Sequence, residues 1–199
     1  TDIESSLNTL DFYSDPSAMV KREELKAMHI AASALITYAQ RYAKYLNELA
    51  LSEKDNQRKS ELLQMAAICE RVPANKPQTF WEALQYYWFV HLGVITELNT
   101  WDSFNPGRLD QHLYPFYKNE IENGNLTVET TKELLMSFWV KFNNQPAPPK
   151  VGVTAQESNT YTDFCLINVG GLTAEGNDAS NELSYLILDV IEEMRLLQP

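Results

Sequence analysis

Trp101-Asp-Ser-Phe-Asn-Pro-Gly-Arg-Leu-Asp-Gln-His-Leu-Tyr-Pro-Phe-Tyr117 sets Asp102, Asn105, Arg108, Asp110 and Gln111 between two apolar helical runs. Polar side chains so placed imply a buried loop that must hold itself, or a ligand, by hydrogen bonds. The Asn105-Pro106-Gly107 step reads as a helix start, with Asn as the cap and Pro at the first helical position, where its missing N–H costs nothing. Asp102 and Ser103 then fall just ahead of a helix N-terminus, in a loop of the kind that carries sites. A polar helix–helix connector fits the same residues, and this stretch alone leaves both readings open.

Outward from that stretch the chain is helical. Leu25, Met28, Ala32, Leu35, Ile36, Ala39, Tyr42, Ala43, Leu46 and Leu49 recur at helical spacing and predict one long amphipathic helix over 21–51. A second is predicted from about Asp55 to Arg71, with Leu62, Leu63, Ala66 and Ile68 inward, and Pro73 ends it. Thr79 with Glu82 forms a capping box that opens a strongly apolar helix through Leu98. After the polar stretch, a helix from Pro106 is expected to stop near Asn123-Gly124, and Thr127 caps another that reaches Phe142.

The Asn143-Asn-Gln-Pro146-Ala-Pro-Pro149 connector forbids helix. The one convincing strand lies in Tyr161–Leu172, where the run Phe164-Cys-Leu-Ile-Asn-Val169 is broken by Gly170-Gly171. Glu175-Gly-Asn-Asp178 turns into a last helix over Ala179–Leu197, with Leu183, Leu186, Ile187, Val190 and Ile191 inward. The fold class is therefore mainly α with one or two buried strands.

Composition bounds the function. A length of 199 residues with 44% hydrophobic residues supports one domain, or the larger part of one, with a sizeable core. A net charge of −11 argues against nucleic acid and anionic membranes, which call for basic patches. The longest uncharged run, Ala83 to Thr96, is 14 residues, short of the roughly 20 of a membrane span. Two cysteines, Cys69 and Cys165, make no disulfide framework and favour the cytoplasm. The polar start is no signal peptide, and the chain reads as a soluble piece of a larger protein: it lacks an initiating Met and ends on bare apolar residues.

Few constellations carry chemistry. His29, His91 and His112 fall on three separate helices without paired spacing, so no metal site is expected, and His91 reads as a satisfied core histidine. The glycines belong to no phosphate loop, and no serine-nucleophile elbow is present. What remains is acidic. Asp102 follows a buried helix and Asp163 opens the buried strand, beside Trp101 and Phe164. A carboxylate at the mouth of an apolar cavity can orient a cationic or hydroxylated ligand, or act as a base if burial raises its pKa. Capping of nearby backbone donors is the plainer alternative.

The sequence resembles the glycyl radical enzymes, the pyruvate formate-lyase-like family. The resemblance rests on Thr79-Phe-Trp-Glu-Ala-Leu-Gln85, Asn105-Pro-Gly-Arg-Leu-Asp-Gln111 with Tyr114-Pro-Phe-Tyr117, Asn168-Val-Gly-Gly-Leu172, and Asn177-Asp-Ala-Ser-Asn-Glu-Leu183. It implies a partial piece of a ten-stranded α/β barrel, residues 1–199 being an N-terminal or middle part. In such enzymes a cysteine becomes a thiyl radical and takes a hydrogen atom from the substrate. A glycyl radical installed by a radical S-adenosylmethionine activase supports that step. The cysteine motif, commonly Cys-x-Glu, and the glycine-loop motif are absent here, so the resemblance assigns no catalytic residue to this chain, which is inactive alone.

Within the family, Glu97-Leu-Asn-Thr-Trp-Asp-Ser-Phe-Asn105 and Glu157-Ser-Asn-Thr-Tyr-Thr-Asp-Phe164 look most like the branch that dehydrates trans-4-hydroxy-L-proline. The resemblance implies that Asp102, Ser158, Asp163 and Phe164 line the substrate pocket: the carboxylates receive the ring amine and hydroxyl, and Phe164 packs on the ring. The alternatives are another glycyl radical lyase or dehydratase, acting on glycerol, propanediol or choline, and a non-catalytic helical scaffold remnant. The implied partners are a small-molecule substrate, the activase and the remainder of the barrel, with a homodimer left open.

Overall fold

The computed structural model describes residues 2–97, 105–143 and 167–196. Two compact units divide the chain, residues 1–74 and residues 75–199. The first holds α1 (Asp2–Asn8), α2 (Ala18–Ser52) and α3 (Asn56–Arg71). The second holds α4 (Phe80–Glu97), α5 (Leu109–Glu122), α6 (Val128–Asn143) and α7 (Glu182–Met194).

In the first unit, Asp55 starts α3 by accepting the Gln57 and Arg58 N–H groups at 2.8 and 3.2 Å. The unit's core is the packing of α3 on the C-terminal half of α2, where Ala39, Ala43, Leu46 and Ala50 meet Leu62, Ala66, Ile68 and Cys69. Small residues on α2 let the two backbones approach closely. The predicted inward set was too generous: Met28 is 55% exposed and Leu63 46% exposed. The short helix α1 was not foreseen; acids in its first turn complement the helix dipole.

The second unit has one core, built by Phe80, Leu84 and Trp88 of α4, Leu109, Leu113 and Tyr117 of α5, Leu135, Phe138, Trp139 and Phe142 of α6, and Leu183, Leu186, Ile187 and Val190 of α7. Helix starts are made by side chains. Thr79 Oγ1 accepts the Glu82 N–H at 3.1 Å, and the Glu82 carboxylate reaches back to the Gln78 N–H at 2.7 Å, one residue earlier than an ideal box. Glu120 on α5 accepts the Phe80 N–H at 2.5 Å, so α5 caps α4. Thr127 caps α6 through the Thr130 N–H at 3.1 Å. Lys132 of α6 binds Glu193 of α7 at 2.6 Å, which holds its ammonium above the usual lysine pKa.

Four expectations need correction. The helix after the polar stretch does not begin at Pro106; it begins at Leu109, because Gly107 turns left-handed (φ +71°) and Arg108 pairs elsewhere. The last helix begins at Glu182 rather than Ala179, because Asn181 has extended backbone and caps the start by accepting the Leu183 and Ser184 N–H groups. Ile191 is 38% exposed and turned away from the core. The expected strand is reduced, among the described residues, to two isolated bridges, Arg108 with Asn168 (parallel) and Leu172 with Asp178 (antiparallel). Its first part, residues 161–166, lies outside the described residues. The described part is thus mainly helical, and no barrel is visible in it.

Candidate functional site

The motifs that are far apart in sequence meet in one place. Left-handed Gly107 delivers Arg108 beside Asn168, and two backbone bonds join them: Leu109 N–H to the Asn168 carbonyl and Asn168 N–H to the Gly107 carbonyl, both 3.0 Å. The helix that follows places Asp110 in its first turn, with a side-chain exposure of 0%. A buried carboxylate is costly unless its acceptor sites are filled. Here Oδ1 accepts the Gln111 N–H at 2.8 Å, while Oδ2 accepts the Gly170 N–H at 2.8 Å, the Gln111 side-chain amide at 3.1 Å and, through a very short bond, the Ser184 hydroxyl.

Two helix N-termini therefore face this one carboxylate. Asp110 sits in the first turn of α5, and Ser184 sits in the first turn of α7, inside a capping box where Asn181 accepts from Leu183 and Ser184 and Ser184 Oγ accepts the Asn181 N–H at 2.9 Å. The positive ends of both helix dipoles help to offset the desolvation of the charge. The Gln111 amide also donates to the Ala179 carbonyl at 2.7 Å, tying the approach to α7 into the same cluster.

Gly170 and Gly171 are required by two constraints at once. Both have positive φ, +68° and +91°. A Cβ on Gly170 would lie 3.0 Å from Ser180 Oγ, and one on Gly171 would lie 3.1 Å from Arg108 Nη1. Arg108 lies over this turn and donates from Nη1 to the Leu172 carbonyl at 2.7 Å and the Gly170 carbonyl at 3.4 Å. The guanidinium thus lies over Gly171 and the Ser180 hydroxyl over Gly170, so a side chain at either position would have to push its neighbour aside.

Four donors converge on the buried Asp110 carboxylate, three on Oδ2 and one on Oδ1, and tie α5 to the glycine turn and α7, which is the arrangement of an anchor. Near it, Tyr114 donates to Glu182 at 3.3 Å, and burial, reinforced by the Glu182 charge, raises the phenols of Tyr114 and Tyr117 above their ordinary pKa. His91 is fully buried between Trp88 and Phe142, with its Nδ1 at 3.3 Å from the Tyr87 hydroxyl, as a satisfied core histidine should be. Among the described residues, no group of three or more histidines, cysteines or acids is placed to hold a metal ion, and no helix is long and apolar enough to cross a membrane.

The four predicted pocket residues, Asp102, Ser158, Asp163 and Phe164, lie outside the described residues, as does Cys165. What the structure does bring together is the frame on which both of their segments end: Asn105 and Ile167 are the first described residues after each. The sequence named Asp110 as one of five polar residues of the stretch, without its anchoring role. The signal for that role was an acid in the first turn of a helix and a Gly-Gly turn whose N–H donates to it. A radical relay does not fit the described cysteine, since Cys69 is buried in α3 and is followed directly by Glu70.

Comparison with known proteins decides the family. The family model described as pyruvate formate lyase-like matches residues 1–199. The chain belongs to the pyruvate formate lyase-like family. Among curated relatives of this pyruvate formate lyase-like chain, a trans-4-hydroxy-L-proline dehydratase of Clostridioides difficile is 54% identical over 198 residues, covering 100% of this chain and 25% of its own length. An isethionate sulfite-lyase of Desulfovibrio desulfuricans is 37% identical over 196 residues, covering 97% of this chain and 23% of its own. A solved structure, hydroxyproline dehydratase from Clostridioides difficile with trans-4-hydroxy-L-proline bound, superposes with a TM-score of 0.91 at 55% identity, over 100% of this chain and 25% of that one. The chain spans about a quarter of the length of the curated relatives it matches.

Proposed function

We propose that the full-length protein containing this chain is a glycyl radical dehydratase that eliminates water from trans-4-hydroxy-L-proline. The carrying observation is the contrast in similarity: 54% identity to the hydroxyproline dehydratase against 37% to the isethionate sulfite-lyase over nearly the same residues. In this reading the chain is an N-terminal or middle part of a ten-stranded barrel. The thiyl cysteine and the glycyl radical reside outside it, and a radical S-adenosylmethionine activase installs the radical. Homodimerisation and a cytoplasmic location complete the reading.

The pocket residues follow the substrate's chemistry. Hydroxyproline offers a ring ammonium, a ring hydroxyl and an apolar ring. Asp102 and Asp163 are the acids that receive the amine and the hydroxyl, Ser158 adds a hydroxyl, and Phe164 packs on the ring. Two carboxylates beside aromatic residues suit a small cationic, hydroxylated molecule far better than an anionic sulfonate. No step of hydrogen-atom transfer is assigned to residues of this chain.

The test is a substrate panel on activated full-length protein: trans-4-hydroxy-L-proline, glycerol, propanediol, choline and isethionate, with products followed by mass spectrometry. Loss of one water from hydroxyproline is the expected result, and Asp102→Asn is expected to cut kcat/KM by about 10²-fold or more. Turnover of a different panel member with hydroxyproline untouched would overturn the substrate. Full activity in Asp102→Asn would remove that residue from the pocket.

A further inference from the structure

We propose that Asn123-Gly124 is a site of spontaneous deamidation, and that the turn ending α5 sets its rate. The proposal goes beyond the substrate reading and does not depend on it. Among the asparagines of the sequence, Asn123 alone is followed by glycine. Glycine leaves the backbone nitrogen unscreened by a side chain and free to rotate, the two things that ring closure on a neighbouring amide needs. Asn123 and Gly124 are both exposed, so water reaches them. In the reaction the Gly124 nitrogen loses its proton and bonds to Asn123 Cγ, the Cγ–Nδ2 bond breaks, and ammonia leaves a succinimide. A water molecule then opens that ring to aspartate or isoaspartate. No oxidant or reductant is involved.

Both reacting groups are held back in the folded chain. Gly124 lies at the left-handed end of α5 (φ +69°), where its N–H donates to the Ile121 carbonyl at 3.1 Å and the Asn125 N–H donates to the Glu120 carbonyl at 2.9 Å. Those two bonds form the Schellman closure of a helix. The nitrogen that must attack is therefore the one that closes the cap. The electrophile is held too: Asn123 Nδ2 donates to the Asn119 carbonyl at 2.7 Å and to Asn119 Oδ1 at 3.2 Å. Cap and ring closure exclude each other, so the chain reacts only when the last turn of α5 opens. Each bond retards its group by up to about 10-fold, and together they slow the reaction by about 10- to 100-fold against an unfolded chain.

The product works against the same turn. A carboxylate at position 123 sits at the negative end of the α5 dipole, in the turn that already carries Glu120 and Glu122, and it cannot donate to the Asn119 carbonyl. Isoaspartate also lengthens the backbone between Glu120 and the two N–H groups its carbonyl accepts, those of Asn125 and Leu126. The Glu120 side chain caps Phe80 at the start of α4, so loss of this turn weakens the α4–α5 junction.

The experiment follows Asn123 in the full-length protein held at neutral pH, by peptide mapping that separates aspartate from isoaspartate. A urea-unfolded sample and a synthetic peptide spanning residues 119–128 give the unconstrained rate. The folded protein should convert about 10- to 100-fold more slowly than either, by a factor that matches the hydrogen-exchange protection of the Gly124 amide to within about 3-fold. Leu126→Ala, which trims the apolar contact of the cap with the second core, should speed conversion by about 3-fold or more and lower that protection in step. A folded rate equal to the peptide's would overturn the proposal. So would an unchanged rate in Leu126→Ala with Gly124 protection lowered, or no product at Asn123 in either folded protein while the unfolded chain converts fully. If Leu126→Ala does not fold, the wild-type comparison of conversion with Gly124 exchange decides the matter, and a mismatch there overturns the gate.

Discussion

Gly171→Ala gives the sharpest test of the packing described above, because Gly176 provides an internal standard. Both residues have positive φ, +91° and +83°, but a Cβ at position 176 meets nothing within 4 Å, whereas one at 171 meets Arg108 Nη1 at 3.1 Å and Cδ at 3.3 Å. The backbone cost of an alanine in this region is about 1–2 kcal/mol, less about 0.4–1 kcal/mol recovered from the stiffer unfolded chain, so Gly176→Ala should lose about 1 kcal/mol. At Gly171 the guanidinium must also move and give up its bonds to the Leu172 and Gly170 carbonyls. Those bonds are partly exposed, so their loss adds about 1 kcal/mol rather than the larger value of buried charged bonds.

The assay is urea denaturation of the four members of the Gly171→Ala and Arg108→Ala double-mutant cycle, with Gly176→Ala alongside. Gly171→Ala is expected to cost about 2 kcal/mol, a fall of roughly 4–8 °C in Tm for a unit of this size. In the Arg108→Ala background its cost should drop to that of Gly176→Ala, a coupling of about 1 kcal/mol. Equal costs at 171 and 176, or additive behaviour with Arg108→Ala, would refute the claim that the arginine fills the space above the glycine turn.

Three further outcomes follow from the same structure. Leu183→Ala, which empties a fully buried site in the second core, should cost about 2–5 kcal/mol in denaturation, while Ile191→Ala should stay within about 0.5 kcal/mol of wild type; a loss at Ile191 as large as that at Leu183 would restore the inward place that periodicity gave it. Glu120→Ala strips the α4 N-terminus of its cap at Phe80 and should cost about 1–2 kcal/mol, with hydrogen exchange at the start of α4 accelerating first. Asp15 is held at about 2, against an ordinary 3.8, by the Lys21 ammonium, the Ser17 hydroxyl and the Ser17 N–H. Its folded-state pKa is depressed, so its contribution is complete above pH about 4 and vanishes as the pH falls toward 2; Asp15→Asn should flatten the acid limb of stability there, and parallel limbs would contradict the pairing.

How far the sequence carried can be judged from particular residues. The 3.6-residue period found α2, α3, α6 and α7 to within a few residues, since each buries a continuous stripe. It overestimated the inward face of α2 at Met28 because α3 covers only the C-terminal half of that helix. The start of α5 was misplaced for a reason no local rule contains: Gly107 and Arg108 are committed to Asn168, a partner 60 positions away that outweighs the Asn-Pro signal. Asp110 was named among the polar residues of that stretch, but its distant donors Gly170 and Ser184 lie 60 and 74 positions away, where no local rule reaches. The described part of the polar stretch, Arg108 to Gln111, holds itself by hydrogen bonds, as one of the two opening readings required. The pocket set of Asp102, Ser158, Asp163 and Phe164 came from resemblance and from the chemistry of acids beside aromatics, and it lies beyond the described residues.

The most direct measurement is an experimental structure of the full-length protein soaked with trans-4-hydroxy-L-proline. The account predicts the Asp102 and Asp163 carboxylates within about 3 Å of the substrate's amine and hydroxyl. Either carboxylate turned to bulk water with the substrate bound elsewhere would contradict it.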